Sequence, residues 1–300
     1  MSATSRAYRG RIAPSPTGLM HLGHARTFWT AAERAHSTGQ ARGTLVFRNE
    51  DIDPARCRPG FAAAALEDLA WLGIRWQEGP DIGGPHAPYN QSERRVLYEA
   101  AFERLRATGA VYPCMCSRKD IAESAAAPHE TGDEPLYAGT CRPERLSSEE
   151  NARRALLPRT GVTWRFAVPD GRKLESVDGS AGPQSIVCGA GLGDFVAWRK
   201  DDWPSYQLAV VVDDAAMGIT EVVRGRDLLV STFRQLLLYE TLGERAPQFF
   251  HCPLVTDASG ARLAKRHDSL SLRALRAQGW KPEDLRACWD GPLPSTPPTS

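Results

Sequence analysis

Two histidines near the beginning of the sequence are spaced so that both could contact the same phosphate. His21 and His24 lie three residues apart in the segment GRIAPSPTGLMHLGHART, directly before a stretch of helical character. At a helix start, side chains with this spacing face the same space, and the backbone N–H groups there favour an anion. On these residues alone, two other interpretations stay open: a turn with two surface histidines, or a pair of zinc ligands.

A second segment with chemical potential, ARLAKRH, lies near the other end of the chain in a polar loop after the apolar run FFHCPLV. It contains Lys265, one of only five lysines among 37 basic residues, so a lysine is mildly informative in this sequence.

Three of the seven cysteines cluster in one polar, loop-rich region. Cys114 and Cys116 form a C-x-C pair, and Cys141 follows in YAGTC. Three thiolates suit a tetrahedral metal site, whose fourth ligand could be a phenolate, water or His129. The alternative is three buried free thiols. An odd number of cysteines argues against a disulfide framework.

The elements that must position these residues follow an alternating pattern of strands and helices. Predicted elements include a helix from the histidines to about Gly39 and a strand over Thr44–Arg48. Further helices begin at Pro59 and after an N-cap at Ser92, the second closing at Gly109. This alternation predicts an α/β fold with a doubly wound parallel sheet.

The bulk composition is that of a folded protein. The 300 residues are 42% hydrophobic and 24% charged, and the net charge of +1 gives no global attraction to nucleic acid. No apolar run is long enough to cross a bilayer, and the polar start MSATSRAYRG lacks the apolar region of a signal peptide. A cytoplasmic protein without membrane partners is expected.

The ordered pair of segments resembles the two signature sequences of class I aminoacyl-tRNA synthetases, H-I-G-H and K-M-S-K-S. Three segments between them are similar to the glutamyl branch of that class: RNEDID, YQLAVVVDDAAMGITEVVRG and STFRQLLLYETLG. The resemblance covers roughly residues 10–275 and implies a Rossmann-type catalytic domain. The two halves of that domain are expected over residues 8–110 and 186–275, the second with the K-M-S-K-S-like loop. Between them, residues 111–185 are expected to form a zinc-bearing insertion on the acceptor side. Residues 276–300 are expected to form a short helix and tail.

The resemblance also implies a site for L-glutamate. Arg11 would bind the side-chain carboxylate, because a guanidinium fork suits a planar carboxylate, and Arg224 would be a second clamp. Glu50 would accept a hydrogen bond from the substrate ammonium group, and Tyr206 would close the pocket. Ala13 and Ser15 match the segment that lines it.

For ATP, the resemblance assigns phosphate contacts to His21 and His24 and close packing of adenosine to Gly23. Lys265 would neutralise phosphate charge as the glutamate carboxylate attacks, with Mg²⁺ assisting. Arg262 and Ala264 stand where the family pattern has Lys and Ser, so the loop departs from that pattern.

Within this class, the chain is similar to the glutamyl-queuosine tRNA(Asp) synthetases, which attach glutamate to the queuosine base of tRNA(Asp). The short stretch after Arg266 cannot hold an anticodon-binding domain, and the cysteine cluster resembles the structural zinc site of this group, with Tyr137 as fourth ligand. A monomer is expected. The alternatives are a truncated glutamyl-tRNA synthetase that charges a tRNA 3′ end, or a catalytically silent RNA-binding paralogue.

Two further features have open interpretations. Asp213 and Asp214 could orient the pocket or mark an acidic strand end. The arginine-rich stretches 94–106 and 153–159 are typical of solvated helix faces, some of which could contact tRNA phosphates.

Overall fold

The architecture comes from a computed structural model that describes residues 6–37, 43–117, 119–121, 136–255, 271–287 and 289. Three residues of the sequence predictions, His129, Arg262 and Lys265, lie outside the described residues.

The described helices are α1 (Leu22–Ser37), α2 (Pro59–Trp71), α3 (Arg95–Ala107), α4 (Ser148–Ala155), α5 (Tyr206–Ala216), α6 (Leu229–Thr241), α7 (Leu272–Ala277) and α8 (Pro282–Ala287). The described strands are β1 (Arg9–Ile12), β2 (Thr44–Phe47), β3 (Val111–Cys114), β4 (Thr163–Phe166), β5 (Lys173–Asp178), β6 (Gly182–Val187), β7 (Phe195–Trp198), β8 (Glu221–Gly225) and β9 (Gln248–Cys252). None of these helices is long and apolar enough to span a membrane.

The strands that carry the predicted site form a parallel layer. β1 pairs with β2 and β8 pairs with β9, both in parallel. The N–H of Thr220 donates to the carbonyl of Arg9 at 2.8 Å, so the start of β8 lies beside β1. On the other side of β2, the N–H of Phe47 donates to the carbonyl of Glu78 at 2.7 Å. The spatial order is therefore residue 78, β2, β1, β8 and β9.

Both faces of this layer are buried. Leu45, Phe47 and Val223 point into a core shared with α1 and α2. Val46 and Val222 point to the opposite face, into a core shared with α3, α5 and α6. Alternation along a strand places neighbours on opposite faces, so each strand residue reaches one of two helix layers. The α/β expectation is thereby confirmed.

The region between the two halves is built differently. β3, β4 and β7 form an antiparallel sheet, and β5 and β6 form an antiparallel hairpin. The hairpin joins the parallel layer where Asp178 of β5 pairs with Phe249 of β9. The segment boundaries at residues 110, 185 and 275 stay predictions.

Two local expectations are wrong. Ser92 is not the N-cap of α3, because it lies in a short 3₁₀ helix and its hydroxyl donates to Asp51 at 2.7 Å. α3 begins three residues later, at Arg95. Arg94, expected on a solvated face, is buried at 3% exposure because it pairs with Asp213.

A buried carboxylate in α2 gives a stability prediction. Asp68 is 2% exposed, one of its oxygens has no hydrogen-bond partner in the described structure, and burial raises its pKa to about 6. A raised carboxyl pKa means that the folded state holds the proton more tightly, so stability falls as pH rises from about 4 to 6. Asp68→Asn is expected to raise the free energy of unfolding at pH 8 by on the order of 1 kcal/mol.

Urea unfolding at pH 5 and pH 8 checks this prediction, with Glu67→Gln on the neighbouring exposed residue as the control. The gain from Asp68→Asn should shrink at pH 5, where Asp68 is protonated in the folded protein. An equal or larger gain at pH 5 would contradict the assignment.

Candidate active site and metal centre

The two histidines lie where β1 turns into α1. The turn is fixed by backbone hydrogen bonds from Glu50 to the Pro14 carbonyl and from Arg58 to the Pro16 carbonyl, both 3.0 Å. α1 begins at Leu22, one residue after His21. The rings of His21 and His24 lie 4.0 Å apart between centroids, so the structure brings them together as the spacing predicts. Their role toward a phosphate stays a prediction.

Gly23 lies between them in a crowded position. A Cβ at this residue would lie 3.1 Å from a ring carbon of His21, which is tighter than ordinary contact. The residue therefore allows the ring of His21 to fold back over the helix start, where its Nδ1 accepts from the N–H of Gly23 at 3.2 Å. This is a structural reason for the glycine beside its predicted role toward adenosine.

The chain after the K-M-S-K-S-like segment returns to these histidines. Ser271 pairs with His21 in an isolated bridge, and the N–H of Leu272 donates to the carbonyl of Met20 at 2.8 Å. The predicted ATP contacts of Arg262 and Lys265 cannot be placed, since both lie outside the described residues.

Arg11 lies on β1 with its guanidinium buried at 4% exposure. One terminal nitrogen donates to the carbonyl of Val223 at 2.8 Å, and Nε lies 3.6 Å from Asp214. Nε makes no hydrogen bond in the described structure, although it is buried. Asp214 is therefore an ion-pair partner of the Arg11 guanidinium inside the protein.

Glu50 lies just after β2 and is held by Arg48. A terminal nitrogen of Arg48 donates to Glu50 at 3.0 Å, and the other donates to Asp214 at 2.6 Å. Burial raises the pKa of Glu50, while Arg48 and Arg11 oppose that rise. The carboxylate therefore depends on these two arginines for its charge.

The acidic pair Asp213–Asp214 lies on α5, not at a strand end. Asp213 accepts from Arg94 at 2.6 Å and from Gln91 at 2.7 Å, which ties α5 to the start of α3. Asp214 faces Arg11 and Arg48. Of the two interpretations, orientation of the pocket fits this geometry.

Arg224 lies on β8, and each of its three guanidinium nitrogens donates one hydrogen bond. They reach His251 at 3.1 Å, Gln235 at 2.8 Å and Thr232 at 2.6 Å. Tyr206 is the first residue of α5 and faces the same centre. Burial and the charge of Glu50 raise the pKa of its hydroxyl, and the charges of Arg224 and Arg11 oppose that rise.

The structure thus brings together four of the predicted glutamate-site residues: Arg11, Glu50, Tyr206 and Arg224. Ala13 and Ser15 follow β1 in the turn; Ala13 is half-buried and Ser15 is exposed. These residues place two cationic side chains and one carboxylate close together in the interior.

Several residues that support this site carry no role predicted from the sequence. Arg48, Arg94 and Gln91 form the buried ion network, and His251 contacts Arg224. The only signal for Arg48 was its place inside RNEDID, and nothing distinguished His251 within FFHCPLV.

The cysteine cluster forms a second centre. The sulfur atoms of Cys114, Cys116 and Cys141 all lie within 4.8 Å of one another. The Tyr137 hydroxyl lies 3.4 Å from the Cys114 sulfur and 3.5 Å from that of Cys116, and the sulfurs of Cys116 and Cys141 are 3.6 Å apart. A tetrahedral zinc ion with sulfur and oxygen ligands needs donor atoms about 3.5–3.8 Å apart. These residues therefore fit a metal ion.

The thiols of Cys141 and Cys116 differ in the direction of their pKa shift. Burial raises the pKa of Cys141, but hydrogen bonds from Tyr137 and from a backbone N–H outweigh it and lower the value to about 6. Burial raises the pKa of Cys116 to about 11. The lowered pKa of Cys141 favours its thiolate, which is the form that binds metals.

Comparison with known proteins identifies the family of this chain. Residues 7–288 match the model of the catalytic domain of class I tRNA synthetases of the E and Q type. A protein named glutamyl-Q tRNA(Asp) synthetase from Symbiobacterium thermophilum is 52% identical over 92% of this chain and 83% of its own length. One of the same name from Nitratidesulfovibrio vulgaris is 50% identical over 90% and 82%.

A solved glutamate tRNA ligase from Elizabethkingia meningosepticum, in complex with its amino acid, superposes with a TM-score of 0.76 at 35% identity. The alignment covers 87% of this chain and 52% of that one, so this chain spans about half of the solved protein. The chain is a ligase and belongs to the glutamyl-Q tRNA(Asp) synthetases, within the class I tRNA synthetase family.

Proposed function

We propose that this ligase activates L-glutamate with ATP as glutamyl-adenylate and transfers the glutamyl group to the queuosine base of tRNA(Asp). The names of the relatives support the acceptor. One observation carries the glutamate half: the opposite charges of Arg11 and Glu50 are both buried and interact with each other and with Tyr206.

Glutamate has two carboxylates and one ammonium group, and the pocket offers complementary charges. Arg11 binds the side-chain carboxylate through its guanidinium, and Arg224 provides further positive charge from β8. Glu50 accepts from the ammonium group. Low exposure strengthens these interactions, because water does not screen them.

Activation needs positioning more than a reactive side chain. An oxygen of the α-carboxylate attacks the α-phosphorus of ATP, the bond to the β-phosphate oxygen breaks, and pyrophosphate leaves. His21 and His24 at the start of α1 contact phosphate oxygens, and Lys265 neutralises their charge. Mg²⁺ enters with ATP as part of the substrate.

A cavity supports the proposed transfer of the glutamyl group to tRNA. It is lined by Tyr206 at the glutamate pocket and by Tyr137 of the cysteine cluster, with Arg165 between them. Arg165 stacks on the Tyr137 ring at 4.1 Å and donates to the Cys114 sulfur at 3.4 Å. An acceptor hydroxyl that enters here attacks the carbonyl carbon of the adenylate, and AMP leaves.

Zinc is the metal that we propose for the cluster. Bound by Cys114, Cys116, Cys141 and Tyr137, it would supply a crosslink between the end of β3 and residues 137–141. The wall of the cavity would then be held in place by the metal, which has no role in the chemical step.

Metal analysis tests this assignment. The wild-type protein is expected to contain about one zinc per chain, and Cys141→Ser should lose most of it and lower Tm by about 5 °C. Cys57→Ser, outside the cluster, should keep its metal. Full zinc content in Cys141→Ser would contradict the proposed ligands.

Amino-acid-dependent pyrophosphate exchange tests the glutamate half, measured with and without tRNA(Asp). Exchange with L-glutamate and little with L-glutamine is expected, because the side-chain amide of glutamine offers Arg11 no carboxylate to bind. Equal exchange with both amino acids, or none with either in the presence of tRNA, would refute the assignment of the pocket.

A further inference from the structure

A buried chain of hydrogen bonds runs from the β5–β6 hairpin to Arg224. Asp178, at the end of β5, accepts from Nδ1 of His251 at 2.6 Å, and both side chains are at most 2% exposed. Nε2 of His251 lies 3.1 Å from Nε of Arg224. The hairpin thereby reaches the glutamate pocket through one imidazole ring.

The donors in this chain fix the tautomer of His251. Nε of Arg224 can only donate, so Nε2 of the imidazole must accept and carry no proton. The proton therefore lies on Nδ1 and is donated to Asp178, whose other oxygen accepts from the N–H groups of Ser180 and Ala181 at 2.9 and 2.7 Å. Those two backbone contacts hold the carboxylate in place.

The two terminal nitrogens of Arg224 donate hydrogen bonds to side chains of α6. Thr232 and Gln235 accept from its two terminal nitrogens, and the Thr232 hydroxyl also lies 3.2 Å from Nε2 of His251. Two residues of α6 thus hold the guanidinium in place. His251 connects these contacts of Arg224 to the hairpin.

We propose that His251, held as its neutral Nδ1–H tautomer by Asp178, is a positioning residue that fixes the guanidinium of Arg224 for recognition of glutamate. The inference rests on the proposed function, because Arg224 matters for catalysis only if the pocket binds glutamate. His251 itself touches no reacting atom.

A pH dependence follows from the surroundings of the ring. The charged groups that face His251 are Asp178 on β5, Arg224 on β8 and Arg11 on β1. Burial and the two arginines outweigh Asp178 and lower the pKa of His251 below its usual range. Protonation would place an N–H against the Arg224 guanidinium, so the KM for glutamate should rise at acidic pH.

Two variants distinguish the roles of the two ring nitrogens of His251. His251→Gln keeps an acceptor near the position of Nε2, whereas His251→Asn keeps a donor near Nδ1 and loses the contact with Arg224. In glutamate-dependent pyrophosphate exchange, His251→Asn is expected to raise the KM for glutamate about tenfold, with kcat within about twofold. His251→Gln should raise it less and remove the acid dependence.

His36→Asn is the control, because His36 lies at the far end of α1 from His21. Thermal unfolding of every variant is measured first, since a merely structural role would lower Tm and kcat together and leave KM unchanged. That outcome, or equal KM values in the wild type and His251→Asn, would overturn the inference.

A spectroscopic measurement decides the tautomer without activity. In ¹⁵N-histidine NMR spectra of the wild-type protein, His251 should be neutral at pH 7 with its proton on Nδ1, and Asp178→Asn should disturb that state. A proton on Nε2 would overturn the inference. Absence of exchange in a wild type that shows the expected tautomer would refute the proposed function alone.

Discussion

Replacing Arg48 with methionine is expected to destabilise the protein by about 3–5 kcal/mol, because it leaves buried carboxylates without their cation. Arg48 is 0% exposed and contacts Glu50 and Asp214, with Asp213 at 3.8 Å. The nearby carboxylates hold its pKa well above the usual value in spite of burial. Urea unfolding at pH 7 measures the loss.

The pH dependence of that loss identifies its cause. In Arg48→Met the carboxylates would take up protons, so the deficit should shrink as pH falls from 7 to 5. Arg153→Met, which removes an exposed pair with Glu150, should change stability by less than about 1 kcal/mol. A deficit that does not depend on pH would indicate lost packing, not uncompensated charge.

Replacing Arg11 with glutamine is expected to lower kcat/KM for glutamate by about 100-fold or more. Removal of one partner from a buried charge pair costs about 2–5 kcal/mol, and here the pair would be Arg11 with the substrate carboxylate. The variant should also lose its preference for glutamate over glutamine, since the guanidinium that binds the carboxylate is gone. Pyrophosphate exchange with both amino acids measures the two effects.

Arg9→Gln is the matched control. Arg9 lies two residues earlier on the same strand and pairs with Glu78 at 2.8 Å, away from Glu50. It should leave the KM for glutamate unchanged even if it lowers Tm. The assignment of Arg11 would be wrong if both substitutions altered KM to the same extent.

Local sequence patterns predicted the fold class and those parts of the site whose residues lie close together in the sequence. The start of α2 at Pro59 and the juxtaposition of His21 and His24 follow from helix chemistry over a few residues. The three cysteines converge as their spacing indicates. The predicted family is confirmed by the comparisons.

The buried ion network could not be predicted in the same way. Arg48 and Asp214 are 166 positions apart, and only the arrangement of β1, β2 and α5 brings them together. Arginine-rich stretches are usually solvated, so nothing in the sequence marked Arg94 as buried. His251 lies in an apolar strand, where a histidine has no pattern that reveals its partners.

The catalytic roles of the histidines, of Arg262 and of Lys265 stay predictions, as do the domain boundaries, the cytoplasmic location and the monomeric state. The catalytic roles depend on a bound ligand, and Arg262 and Lys265 lie outside the described part of the chain.

The most direct test of the central claim is ATP-dependent transfer of labelled glutamate to three RNAs: tRNA(Asp) with queuosine, the same tRNA without queuosine, and tRNA(Glu). Label on queuosine-containing tRNA(Asp) alone is the predicted result. Label on tRNA(Glu), or equal label on tRNA(Asp) with and without queuosine, would contradict it and indicate a synthetase that charges a 3′ end. No label on any of the three would leave an RNA-binding paralogue without ligase activity.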